Sequence, residues 1–362
     1  MRRLSVVGLC VASFFTSICM AQPRGADGDD FLYHVVAGDT LSDIAERYTS
    51  GSNNWRLLQQ KNQVDDTLAL PIGKLLKIPF AMIPVSDDKA TIQHVKGNAT
   101  INGNLAHANE PIHAGDTIIT SDNGFLTVQL SDHSTISIPP NSTVLVQQLN
   151  RFTKAPLTDS ILKLEAGSVE SRVAPDARGV GRFEVHTPTA VTGVRGTTLR
   201  VHHQTNTDHS ITEVVSGQAH LHTRNNTQHT LGIQHAAVTN PTGQVVATTR
   251  LLPAPLLEQA DPDRTRSPLI IHPVTGAQQY LVQVSLDQEG ANIVSREWID
   301  VSPYPLRSYA NGPHYVWVRA VDEYGVMGDD AQLHYTGLLG VISRNGQGVL
   351  TDYGLPLALT QY

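Results

Sequence analysis

His220 and His222 have the most evident capacity for chemistry in this chain. Two histidines two residues apart on a strand point both imidazoles to one face, a spacing that can bind zinc. A catalytic zinc further needs a third protein ligand, an open position for water and a placed base. Other routes to catalysis find little support. There is no Gly-x-Ser-x-Gly elbow and no phosphate-binding P-loop. Both cysteines, Cys10 and Cys19, fall among the first twenty residues. A chain that loses them has no thiol nucleophile and no disulfide, so its stability must come from core size. Carboxylate pairs for glycoside cleavage can lie far apart in a chain, so spacing alone does not reveal them.

The elements that would hold such groups are legible from periodicity. Near the N-terminus the order reads strand, tight turn, helix, loop, helix, turn, strand. Thr40 followed by Asp43 fits a capping box. Leu41, Ile44, Ala45 and Tyr48 then fall at i, i+3, i+4 and i+7, one apolar face of a helix. Gly51 and Ser52 break it, and Asn54 is placed to cap a second short helix carrying Trp55 and Leu58. Pro71-Ile-Gly73 turns the chain into a closing strand, Lys74 to Ile78, which Pro79 ends. Two strands and two helices in under fifty residues make a marginal core, suited to an attachment device.

Residues 33–79 resemble a LysM domain, a small βααβ module whose ligands are N-acetylglucosamine polymers such as peptidoglycan. The residues carrying the likeness are Gly38-Asp39-Thr40-Leu41, Trp55, Asn62, Leu70, Gly73, Leu76 and Ile78-Pro79. In that family the ligand lies between the loop after the first strand and the loop before the last. Carried over, the glycan-binding residues are Gly38, Asp39, Thr40 and Leu41, facing Asn62, Leu70, Pro71 and Ile72. Acetamide groups call for backbone donors and acceptors and a shallow apolar floor, which these residue types can supply. The family often has proline directly before the late glycine. Here Ile72 stands there, with Pro71 one position earlier.

Met1-Arg-Arg followed by an apolar run from Leu4 to Met20 reads as a secretory signal, 1–21. The run is too short for a spanning helix. Cys19-Met-Ala21 has small residues at −3 and −1, which predicts cleavage before Gln22. Ile18 occupies a position where a lipobox needs a small residue, so lipidation is not expected. No later stretch is apolar enough to cross a bilayer, and a soluble mature protein is expected. The net charge of −7 becomes −9 once Arg2 and Arg3 leave. A mild acidic excess argues against nucleic acid as a partner.

Residues 80–94, with Pro84 and Ser86-Asp-Asp-Lys89, read as a linker. From 95 to 231 the chain is strand-rich. Phe125-Leu-Thr-Val-Gln-Leu130, Thr135-Ile-Ser-Ile138, Thr143-Val-Leu-Val146 and Thr198-Leu-Arg-Val201 alternate, divided by Asp122-Asn-Gly124, Pro139-Pro-Asn141 and Ala166-Gly167. Such spacing predicts a sandwich, a barrel or a solenoid. The stretch resembles a FecR-like domain over about 100–220, in His113-Ala-Gly-Asp116, Ile119-Thr-Ser121, Leu130-Ser-Asp132, Ile136, Pro140-Asn-Ser142 and Leu164-Glu-Ala-Gly167. Phe183-Glu-Val-His-Thr-Pro188, Gly193-Val-Arg-Gly-Thr197 and Glu213-Val-Val-Ser-Gly217 complete the likeness. The resemblance implies a solenoid-like stack of strands, as in periplasmic halves of iron-uptake regulators. Those regulators carry an anti-sigma segment and a membrane helix ahead of this domain, and neither is expected here. A sigma-factor circuit is therefore not expected. Arg195 and Gly196 read as structural, at a tight turn.

After a Pro-rich join, Leu252-Pro-Ala-Pro255, residues 253–336 resemble a fibronectin type III-like β-sandwich. Gln279-Tyr-Leu-Val-Gln-Val284 alternates. Tyr315-Val-Trp-Val-Arg-Ala-Val-Asp322, with Tyr324-Gly325 and Gly328, has the form of a penultimate strand and turn. Trp298 and Trp317 are expected in the core. Residues 337–362 form an unassigned tail.

The late His-x-His also resembles that of lysostaphin-type zinc peptidases, which makes a zinc-dependent peptidoglycan hydrolase using His220 and His222 one alternative. Those enzymes have an upstream His-x-x-x-Asp, which none of the 16 histidines here begins. The sequence therefore predicts a mainly β, multi-domain, non-enzymatic protein, with no catalytic residues, metal or cofactor. It is expected to be exported to the periplasm or cell envelope of a Gram-negative bacterium. It is expected to bind peptidoglycan or another N-acetylglucosamine polymer, and to present its β-domains to an envelope protein partner. A periplasmic sensing or signalling subunit, whose partner supplies the membrane part, is the second alternative.

Overall fold

The computed structural model describes residues 25–337, apart from 67–69, 174–179, 195, 260–267 and 301, together with residues 339 and 349. The expected signal, both cysteines, Arg195 and nearly all of the tail lie outside the described residues. The chain divides into two compact units, 1–82 and 83–362.

The first unit contains three strands where two are expected. Strand β1 (Gly25–Asp27) pairs antiparallel with β2 (Asp30–His34), which pairs on its other side with β3 (Leu75–Pro79). The extra strand was hidden because three residues are too few to show alternation. Helix α1 (Leu41–Tyr48) begins at Thr40, whose hydroxyl oxygen accepts from the Asp43 amide at 3.1 Å. The Asp43 carboxylate turns back to accept from the Thr40 hydroxyl at 2.8 Å. Leu41, Ile44 and Ala45 are buried as the 3.6-residue period requires. The Tyr48 ring packs 5.1 Å from those of Phe31 and Tyr33. Helix α2 (Trp55–Lys61) buries Leu58. Asn54 does not cap it by side chain; its amide donates back to Thr49 Oγ1 at 2.9 Å, tying the preceding turn.

In the second unit, strands from Val85 to Arg250 form one continuous 18-stranded sheet folded into two facing layers. The hinge between layers is the strand Thr158–Arg172. Its first half pairs with Ser142–Phe152 in one layer, and Gly167 to Arg172 pair with Thr198–Gln204 in the other. Ala166-Gly167, expected as a turn, is instead this corner. Gly167 has φ +80°, and a Cβ there would lie 2.4 Å from the Asn141 carbonyl oxygen. Ile92, Val128, Ile136 and Ile138 from one layer meet Val144, Leu162, Phe183 and Val185 from the other in a single core. One-in, one-out alternation with turns every few residues builds exactly such layers only when both inner faces are apolar, as here.

This folded sheet, a solenoid-like stack of strands, extends past both expected borders. The expected linker 80–94 contributes Val85–Asp87, which pairs with Asn150 to Phe152, and Ala90–Lys96, which pairs with Phe125–Gln129. Its charged run reads as linker but lies on a strand margin, where Asp88 accepts from Arg151 and from the Ser131 hydroxyl. Ala90 and Ile92 meanwhile face the core. At the other end, His235–Thr239 and Val245–Arg250 continue the sheet beyond 231.

The C-terminal part is a two-sheet β-sandwich. Four strands run in the order Ile293–Ile299, Gln279–Ser285, Gly312–Val321, Ala331–Gly337, opposite the pair Leu257–Gln259 and Leu269–Ile271. Leu269, Ile271, Val282, Val284, Tyr304, Leu306, Val316 and Val318 fill the space between. The expectation that Trp298 and Trp317 are core is corrected here. Val282, Val316 and Val318 point inward, so their strand neighbours Trp317 and, across from Leu281, Trp298 lie on the outer face. Trp298 is 52% exposed, and Trp317 is half-buried under Gly290.

Candidate glycan-binding site

The two loops expected to grip a ligand are joined by backbone. Val35 N donates to the Lys74 carbonyl at 3.0 Å, and Gly73 N donates to the Val35 carbonyl at 2.8 Å. His34 Nδ1 lies 3.2 Å from the Gly73 carbonyl oxygen. The loop after β2 and the loop before β3 therefore form one continuous rim. Its exposed members are Ala37, Gly38, Thr40, Pro71, Ile72 and Gly73, with Leu70 half-buried. Ile72 is 73% exposed, the most exposed of the large apolar side chains described. Residues 67–69, at the start of the second loop, lie outside the described residues.

Four of the eight residues carried over from the family do another job here with their side chains, Thr40 among them as the cap of α1. The Asp39 carboxylate accepts from the Tyr33 hydroxyl at 2.7 Å and from Val36 N at 2.9 Å, and pairs with Arg47 at 3.4 Å. It is a loop staple turned inward. Arg47 also donates to the Tyr33 hydroxyl at 3.0 Å. Burial, followed by the hydrogen bond to Asp39 and its negative charge, pushes the Tyr33 hydroxyl up to about 12. Leu41 is in the core. Asn62 clamps the end of α2 to β3: its amide donates to the carbonyls of Leu58 and Lys77, each at 2.9 Å, and its oxygen accepts from Lys77 N at 2.7 Å. Sequence reasoning missed Tyr33, His34 and Arg47 as loop supports. Their partners lie 6 to 39 residues away, outside any local pattern.

What remains facing outward is a shallow rim with the exposed backbone of Gly38 and an apolar patch at Pro71 and Ile72. That combination suits the amide and methyl of an acetamido sugar.

His220 and His222 sit exposed on one face of the strand Ala219–Thr223. His220 stands across from Gly193 and Thr230, and His222 across from Val191 and Gln228. One strand further on, beyond Ala190–Val194, the strand Val180–His186 carries Glu184, which pairs with His186 at 2.6 Å. Burial would raise the Glu184 carboxyl, but the His186 hydrogen bond and the charges of Arg182, His186 and His222 hold it below the ordinary range. Among the described residues, no group of three His, Cys, Asp or Glu side chains is arranged to hold a metal ion. Gly196 has φ +59°, fitting the expected turn.

Family models match two parts of the chain: the LysM domain over residues 33–79 and the FecR protein family over 116–220. The chain thus carries a LysM domain and a FecR domain, both non-catalytic families typical of extracytoplasmic proteins. No curated protein matches the chain. Among solved structures, two of a "putative anti-sigma factor" from Parabacteroides distasonis are similar at 17% and 15% identity, with TM-scores of 0.31 and 0.30. Each match covers 37% of this chain, which spans 59% of the length of that one. The extracellular domain of a hybrid two-component system from B. thetaiotaomicron matches at 8% identity and a TM-score of 0.16, covering 61% of this chain and 36% of that one. Among the described residues, no helix is long and apolar enough to cross a membrane.

Proposed function

We propose that this is an exported, non-enzymatic cell-envelope protein of a Gram-negative bacterium that binds peptidoglycan through its LysM domain. Its β-domains, the C-terminal one fibronectin type III-like, would present surfaces to a protein partner. The observation that carries the reading is the joined two-loop rim over 35–40 and 70–73, with Ile72 left exposed above a well-packed core. Pro71 and Ile72 together raise an apolar patch on a rim braced by backbone hydrogen bonds, the kind of shallow floor an acetamido methyl can rest on. The contact groups are Gly38, Leu70, Pro71 and Ile72. Asp39, Thr40, Leu41 and Asn62 hold the loops that display them.

Co-sedimentation with purified sacculi tests this. The mature protein is expected in the pellet, and a form lacking residues 22–82 in the supernatant. One shallow module should bind weakly, in the micromolar to millimolar range, roughly −8 to −4 kcal/mol. Ile72→Asp should weaken retention about tenfold, or about 1.4 kcal/mol, without lowering the melting temperature. Equal sedimentation of the truncated form would move the binding elsewhere in the chain.

The FecR domain supports a second reading, a sensing or signalling subunit whose partner supplies the membrane part. Crosslinking in intact envelopes separates the two: a single membrane protein captured through the β-domains favours the subunit.

A further inference from the structure

Separate β-domains joined by a proline-rich segment are ordinarily free to move, because interdomain surfaces inside one chain are modest in size. The contact between the solenoid and the sandwich departs from that pattern. Glu213, in the solenoid strand His209–Ser216, is fully buried and ion-paired to Arg200 of Thr198–Gln204 at 2.6 Å. Neither partner ends there. Glu213 accepts from the Met327 amide at 2.7 Å, and Arg200 donates to the carbonyls of Met327 and Gly328 at 3.0 and 2.8 Å. Both residues at 327 and 328 belong to the sandwich. A second carboxylate, Glu170 of the solenoid, accepts from two sandwich arginines, Arg296 and Arg319, each at 2.8 Å. Arg319 also pairs with Asp330, which lies 3.9 Å from Arg200 and closes the circuit.

Three arginines face three carboxylates in this cluster, and His202 stands 3.5 Å from Glu213. A buried charge left without its partner is far more costly than a complete set. The arrangement is therefore stable closed and unfavourable half-open. Around it, Ile211, Ala236, Val238 and Leu251 pack on Val326, and Gln234 donates to Asp329 at 2.8 Å. The join between the two is drawn in as tightly: a Cβ on Gly328 would lie 2.5 Å from the carbonyl oxygen of Leu252, two residues past the last solenoid strand.

We infer that the solenoid and the sandwich are latched into one rigid, cooperatively folding body by this closed, charge-balanced cluster, so that the sandwich is a fixed cover on one sheet of the solenoid. A partner bound to either domain is then held by both. The inference is independent of what the LysM domain binds.

Hydrogen exchange on the full chain in a denaturant series tests it through effects that cross the contact. Glu170→Gln alters only the solenoid, at a side chain on the rim of the cluster. It should raise exchange at least tenfold in the sandwich strands Gln279–Ser285 and Gly312–Val321. Gly328→Ala alters only the sandwich and changes no charge. It should raise exchange by a similar factor in the solenoid strands Thr198–Gln204 and His209–Ser216. In the unaltered protein all four strands should lose protection together. If each substitution affects only its own domain, or if the unaltered domains lose protection in separate steps, the latch is refuted.

Discussion

Asp39 is held in its turn by contacts that its own short segment does not reveal. Its place in the turn after β2 marks it for ligand contact, yet its carboxylate is consumed by Tyr33, Val36 and Arg47. Removing a buried acceptor strands its donors, at a cost of about 1–3 kcal/mol. Asp39→Ala should therefore lower the stability of the LysM unit by roughly that amount, read by denaturant unfolding followed through Trp55, and should weaken sacculus binding only through the loosened loop. Tyr33 adds a pH signature. Its folded pKa is raised, so its contribution to stability is complete below the ordinary tyrosine value near 10. That contribution is lost as pH rises through about 12. Tyr33→Phe should flatten the alkaline limb of the unit's stability curve; an unchanged limb would mean the hydroxyl is not held as described.

At the scale of elements, two devices decide whether the pieces meet. Asn62 joins α2 to β3 with one hydrogen bond to Leu58 and two to Lys77, so Asn62→Ala should destabilise the LysM unit by about 1–3 kcal/mol while leaving helix content unchanged. Gly167 lets one strand leave the first layer and enter the second. With φ +80° and the Asn141 carbonyl 2.4 Å from a would-be Cβ, Gly167→Ala combines backbone strain with a clash. A loss of more than about 1 kcal/mol of solenoid stability is expected in thermal unfolding, well beyond the effect of an ordinary surface substitution. These elements differ in legibility. Helix α1 was readable because cap and period agree within nine residues. The strands of 80–94 were not, because a charged margin strand looks like a linker until its partner is known.

For the whole molecule, charge placement governs response to acid. Burial by itself would raise the Glu170 and Glu213 carboxyls. Arg319, Arg296 and Arg200 outweigh it at Glu170, and Arg200, His202 and the Met327 amide do so at Glu213, holding both below the ordinary range. A depressed folded pKa contributes stability that is present above the unfolded value, near 4.3, and is lost as pH falls through the folded one. The β-unit is thus expected to keep the carboxylate contribution from neutrality down to about pH 5 and to lose it in stronger acid. Glu170→Gln should remove part of that acid dependence in melting experiments across pH 3–7. An acid limb identical to that of the unaltered protein would rule out this source.

The sequence by itself determined what is local. The capping residues and apolar period of α1, the alternation of the strands and the residue signatures of the LysM and FecR domains all lie within short windows of chain. Each states a preference of the backbone or of one face. The tertiary structure alone decided what is distant. The Trp298 and Trp317 side chains went to the outer face because their strand neighbours point inward. Asp39 became a staple because Tyr33 and Arg47 converge on it. Glu170, 126 and 149 residues from its two arginines, became part of a latch. A polar residue in sequence carries no sign of whether water or another chain segment will satisfy it. Only the packing of segments far apart in the chain makes that choice.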